Sequence, residues 1–165
     1  RIETATVIRD GHFDAIGTVG EFHVHAAGQT VTRHVRQRFL DDVSPAARSL
    51  GMGLVTWSPL SSGVLSGKYD EGLPQGTRLA RSENLRTSYL TETNRTAARK
   101  MKIIADEMGC TRAQLAIAWA MTQPGVTCVI TGATKLDQLR ENLGALKVNM
   151  AEGLKRRLEA NIPPG

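Results

Sequence analysis

Cysteine is nearly absent. Cys110 and Cys128 are the only two in 165 residues, too few for a disulfide framework, so a reducing cytoplasm is the expected setting. Aromatic residues are also scarce, at 4% of the chain. The net charge of +5 is therefore not accompanied by stacking side chains, and the cations are scattered among acids. That combination argues against nucleic acid as a partner. Long apolar runs are missing, so no stretch reads as a membrane span. The first residues mix charges with apolar groups and do not read as a secretory signal. No internal repeat and no low-complexity run is visible.

What is present is an ordinary globular composition, 41% hydrophobic and 22% charged. The length predicts one domain with a buried core. The chain is organised around Gly53–Arg78, GLVTWSPLSSGVLSGKYDEGLPQGTR. Gly53 to Trp57 reads as a buried strand. Ser58-Pro59 breaks it, because proline lacks a backbone donor and fixes φ. A loop rich in Ser and Gly follows, carrying Lys68 and Arg78. Small residues with spaced cations suit a phosphate or dinucleotide. The same pattern also suits an ordinary surface loop.

Val126–Asn142, VTCVITGATKLDQLREN, repeats the grammar. A short apolar strand from Val126 to Thr131 meets a turn at Gly132 and then a polar helix start. Together the two stretches resemble the aldo-keto reductase family, whose last barrel units carry WSPL-x-x-G and G-x-[ST]-x-x-x-Q-L-x-E-N around a nicotinamide cofactor. The likeness is strongest to the branch holding the voltage-gated potassium channel β subunits and related bacterial reductases. It runs from about Val43 to about Ile162.

The resemblance implies an α/β fold, a partial (β/α)8 TIM barrel comprising about its last three β/α units. A whole barrel needs about 250 residues, so a truncated chain is expected. Residues 1–42 do not carry the family pattern and are expected to form a separate, unassigned segment; residues 43–165 carry the cofactor part. Alternation at Glu21–His25 and Thr30–Thr32 predicts short strands in the first segment. His23 and His25 would share one strand face. Without a third ligand they read as a polar face and not as a metal site.

Farther along, Gly51 is the expected left-handed stop of a helix ending before the Gly53 strand. Ser58 to about Leu90 reads as one long loop without elements of its own, with a turn at Pro74-Gln75-Gly76. A helix is predicted over 93–108, with Ala97, Met101, Ile104, Ala105 and Met108 on its apolar face and Gly109 as its stop. Thr111 and Gln114 form a capping box opening the next helix, 112–122, which buries Leu115, Ala116, Trp119 and Ala120. Pro124-Gly125 turns the chain into the Val126 strand. A final helix over 149–160 uses Met150, Leu154 and Leu158, and Ile162–Gly165 is a tail. This order is the βαβ grammar of a parallel sheet, with both motifs at the strands' carboxyl ends.

Carried over by resemblance, Trp57, Ser58, Pro59, Leu60, Ser61 and Ser62 wrap the pyrophosphate and flank the nicotinamide. Lys68 stands near the phosphates, and Arg78 reaches the adenosine phosphate. Gly132 and Thr134 contact the adenosine 2′-phosphate. Gln138, Glu141 and Asn142 hold the adenine end; their spacing puts them on one helix face, within reach of one ligand. Many family members have Arg where this chain has Gln138, so Arg78, with Lys135 as a neighbour, is left to select NADP(H) over NAD. The family's catalytic Tyr, Lys, Asp and His or Asn come from earlier strands. Tyr69 matches the cofactor loop and not the acid, so no catalytic residue is assigned.

The resemblance implies hydride transfer between NADP(H) and an aldehyde or ketone. The alternatives are a non-catalytic NADP-binding regulatory or partner module, and an inactive fragment whose open sheet edge pairs two copies into a homo-oligomer.

Overall fold

The computed structural model describes residues 5–8 and 44–161. The strands expected near Glu21–His25 and Thr30–Thr32, the His23/His25 pair and the Ile162–Gly165 tail lie outside the described residues. In chain order the strands are β1 (Ala5–Ile8), β2 (Gly53–Trp57) and β3 (Val126–Ile130). The helices are α1 (Ser44–Ser49), α2 (Arg78–Arg81), α3 (Glu83–Tyr89), α4 (Glu92–Met108), α5 (Arg112–Met121), α6 (Leu136–Gly144) and α7 (Glu152–Asn161). Two 3-10 turns, Ser61–Ser66 and Ala145–Lys147, are also found among the described residues.

The strands form one sheet in the order β1-β2-β3. β2 and β3 run parallel, with Leu54 opposite Val126 and Trp57 opposite Ile130. The register slips between Leu54 and Val55, which leaves Thr127 as the extra residue. Gly53 makes room for it: a Cβ there would stand 2.0 Å from Thr127 Oγ1. Leu54, Val55 and Thr56 are all buried, as expected of a parallel strand covered on both faces. The parallel grammar stops at this pair. β1, for which the sequence offered no strand signal, runs antiparallel to β2, with Ala5 opposite Thr56 and Ile8 opposite Gly53.

Helix ends follow their capping residues. α1 is followed by Gly51 at φ 68°. α4 starts where Thr91 Oγ1 accepts from the Asn94 amide at 3.2 Å and stops at Gly109, φ 64°. It buries Ala98, Met101, Ile104 and Ala105. The apolar face is thus set one residue from the expected start: Ala98 replaces Ala97, and Met108 is exposed. The capping box of α5 is complete, because Thr111 Oγ1 accepts from the Gln114 amide (3.2 Å) and Gln114 Oε1 from the Thr111 amide (3.0 Å). Thr111→Ala is expected to cost about 1 kcal/mol, measured as a lower thermal midpoint by circular dichroism.

α5 is central and buried nearly all round through Ala113, Leu115, Ala116, Ile117, Ala118 and Ala120. Met101, Ile104 and Ala105 of α4, Leu115 and Ala116 of α5, and Leu158 of α7 form the main core. Arg157 of α7 grips Glu107 of α4, with Nη2 donating to Oε1 at 2.9 Å. That hydrogen bond holds the Glu107 carboxyl below the usual carboxylate range. The pair is exposed, so its contribution is small.

The stretch from Ser58 to Leu90 is not the element-free loop that its composition predicts. It contains the first 3-10 turn, α2 and α3, and it has its own core of Val64, Tyr69, Leu79 and Tyr89, flanked by Leu73, Leu85 and Leu90. These apolar residues are spaced too irregularly to announce a helix, yet they pack around one buried tyrosine. Thr77 N donates to the Pro74 carbonyl at 3.3 Å, which closes the expected turn.

Candidate functional site

Because Trp57 and Ile130 are register partners, β2 and β3 end side by side. Ser58 and Thr131 therefore leave the sheet at the same end. Ligand crevices of parallel sheets form just beyond such carboxyl ends.

The first segment is tightly wound. Ser58, Ser61 and Ser62 adopt φ of 61°, 47° and 54°, and Gly63 follows at 93°. Left-handed backbone at non-glycine residues costs on the order of 1 kcal/mol each and persists only where surrounding packing enforces it. Here Leu60 packs against the main core, and Ser61 and Ser62 are buried. Gly63 N donates to the Leu60 carbonyl at 2.8 Å, and Ser66 Oγ to the Gly63 carbonyl at 2.7 Å. Trp57, 38% exposed, forms one wall of the strand ends.

Of the cations of the first segment, Lys68 stands over this turn. The end of the Lys68 side chain lies across Gly63, where a Cβ would stand 2.5 Å from Nζ, and Nζ sits 5.1 Å from the centroid of the Tyr69 ring. Arg78 is exposed at the first position of α2. Lys135, before α6, is exposed as well. None of these three cations forms an ion pair with another described residue.

The second segment is organised by Gln138. Its Oε1 accepts from Thr134 N (2.9 Å), Thr134 Oγ1 (3.1 Å) and Lys135 N (3.2 Å). Gly132 and Thr134 are exposed, Gln138 and Glu141 are half-buried, and Asn142 is buried. Asn142 lines a mainly apolar groove of about 310 Å³ with Ile117, Thr131, Leu139 and Leu143. The structure thus gives Gln138 and Asn142 different surroundings: one caps its own helix, and the other lines the groove between α6 and β3.

The arrangement suits a polyanion with an extended organic part. It offers uncompensated cations, small residues and a flat indole at one sheet end. Both tyrosines are in the core: Tyr69 is 1% exposed with its hydroxyl accepting from Leu79 N at 3.4 Å, and Tyr89 is buried beside it. Neither stands open to solvent as a proton donor. Both cysteines are free. Among the described residues no His, Cys, Asp or Glu cluster suits a metal ion, and no helix is long and apolar enough to cross a membrane.

Sequence reading missed Asp70 and Arg112, which tie the Lys68 turn to α5 through an ion pair of 2.7 Å. One signal was available. Arg112 opens a helix, where the helix dipole disfavours a cation, so it calls for an acidic partner elsewhere.

The model of the aldo/keto reductase family matches residues 24–159. A probable voltage-gated potassium channel subunit beta of Arabidopsis thaliana is 42% identical over 142 residues, covering 84% of this chain and 42% of that protein. A protein of the same description from Oryza sativa subsp. japonica is 44% identical over 116 residues, covering 68% and 35%. A putative one from Schizosaccharomyces pombe is 37% identical over 116 residues, covering 68% and 34%. The chain spans less than half the length of these curated relatives. With both signature stretches meeting at one end of its parallel strands, the chain belongs to the aldo/keto reductase family.

Proposed function

We propose that this chain binds NADP(H) across the carboxyl ends of β2 and β3, as the cofactor-holding part of an aldo/keto reductase. Residues 43–165 then correspond to the closing β/α units of a (β/α)8 barrel, and the antiparallel β1 is the element that departs from that plan. The observation carrying the reading is the set of three cations without ionic partners among the described residues, Lys68, Arg78 and Lys135, on segments leaving the same sheet end.

The residues present fit this cofactor. The wound turn at Ser58–Gly63 brings backbone and small side chains close to a diphosphate. Lys68 neutralises it as a point charge, while Arg78 offers a planar fork to a phosphate dianion. Gln138 fixes Thr134 and Lys135 at the adenosine end, with Glu141 and the more deeply buried Asn142 on the same helix. Trp57, Pro59 and Leu60 wall the nicotinamide side and exclude water. Bound NADPH supplies a hydride for a carbonyl carbon.

A second reading is a binding subunit without turnover. The relatives' names describe channel subunits, and the two tyrosines of this chain are buried. One experiment separates the readings. The purified chain is titrated with NADPH by nicotinamide fluorescence and then incubated with aldehydes and ketones. Micromolar binding with NADPH oxidation at background favours the binding subunit. Binding with turnover favours the enzyme. No binding by a folded chain overturns both.

A further inference from the structure

Arg112 stands at the first position of α5 and points its guanidinium away from its own helix. Nη1 donates to Asp70 Oδ2 at 2.7 Å and to the Ala98 carbonyl of α4 at 3.2 Å. The Arg112 and Asp70 side chains are 13% and 25% exposed, whereas every other ion pair between described residues leaves both partners at least 37% exposed. The guanidinium also fills the place of a side chain on Gly67: a Cβ there would stand 1.4 Å from Nη2 and 2.0 Å from Cζ. Gly67 itself is left-handed at φ 85°.

One guanidinium therefore holds both ends of the Gly67–Asp70 turn. Lys68 lies between them. Tyr69 drops into the small core of Val64, Leu79 and Tyr89, and its hydroxyl receives the amide of Leu79, the residue after Arg78. The position of the turn is thus passed to both cations of the first segment.

We infer that Arg112, with Asp70, is a positioning residue for the cofactor: it locks the Gly67–Asp70 turn onto α4 and α5 and so sets where Lys68 and Arg78 stand. The ligand in this inference rests on the NADP(H) reading above; the lock itself does not. Free of the lock, the turn samples open arrangements. The apparent dissociation constant then rises as the competent fraction falls.

The test compares the 165-residue chain with Arg112→Met, Asp70→Asn, the double variant and Arg112→Lys. Hydrogen exchange of residues 61–78 is read against α4, and NADPH is titrated into the same samples. Each single variant is expected to speed exchange in 61–78 while α4 stays protected, and to weaken NADPH about tenfold, as when the competent fraction falls to a tenth. The double variant is expected to be no worse than the worse single, because the two residues act through one contact. Arg112→Lys should recover part of the affinity. Unchanged exchange in 61–78 overturns the lock. Faster exchange with unchanged NADPH affinity overturns the positioning role, and multiplying effects in the double variant overturn the shared contact. A wild-type chain that binds no NADPH sinks the cofactor reading and the positioning role with it, while the exchange measurement still decides the lock.

Discussion

Replacing Leu115 by alanine is expected to lower stability by about 3 kcal/mol, within the range found when a buried leucine is truncated. Leu115 has 0% of its surface exposed. Its cluster is drawn from three helices: Met101, Ile104 and Ala105 from α4, Ala116 beside it on α5, and Leu158 from α7. Collapse around a cavity needs these helices to move together. α5 is poorly placed to do so, since it also packs against β3, α6 and both 3-10 turns. Most of the cavity should therefore remain. For a chain of this size the loss corresponds to a fall in the thermal midpoint of roughly 6–12 °C. The consequence reaches the candidate site, because Leu60 and Leu65 rest against the same cluster. A midpoint that moves by less than about 2 °C would mean that α4, α5 and α7 do not enclose a common interior.

The sequence was most readable where local chemistry decides local structure. Gly109 and Gly51 stop helices because their positive φ is open to glycine at little cost. Thr111 and Gln114 cap α5 because each satisfies a free amide of the first turn. The Gly53 and Val126 strands are apolar enough to be recognised as a parallel pair, of which β2 is buried and β3 is largely exposed. The Ser58–Leu90 region was misread because its order comes from tertiary packing. Tyr69, Leu79 and Tyr89 lie ten residues apart and share no helical or strand period, yet they meet in one small core. β1 was missed for the same reason. A four-residue strand has almost no periodic signal; its pairing with β2 defines it.

Candidate site residues divide along the same line. Lys68 and Arg78 could be named because charge is visible in letters, and Gly132 as a turn; Thr134, Gln138, Glu141 and Asn142 were named through the family resemblance. The burial of Asn142 depends on α6 packing against α5, whereas the clasp of Gln138 on Thr134 and Lys135 is a local contact across the first turn of α6. The Asp70–Arg112 contact spans 42 residues in sequence, and no local pattern pairs them.

Arg78→Ala is expected to weaken NADPH binding by roughly 10–100-fold and to leave NADH binding nearly unchanged, the loss being that of one charge-assisted contact. The contrast follows from what each ligand carries. A guanidinium fork gains most from a phosphate dianion, and NADH lacks the 2′-phosphate. Arg78 has no ion pair with another described residue, so its removal strands no buried carboxylate. The packing of α2 is carried by the neighbouring Leu79, which is fully buried. The variant should therefore keep the thermal midpoint of the parent. Arg78→Lys retains the charge without the fork and should fall between the two. Raising the salt should narrow the difference, because an exposed pair is screened. Equal losses for NADPH and NADH would move Arg78 to the shared diphosphate and leave Lys135 to read the 2′ position. Unchanged NADPH binding in a folded Arg78→Ala chain would remove Arg78 from the site altogether.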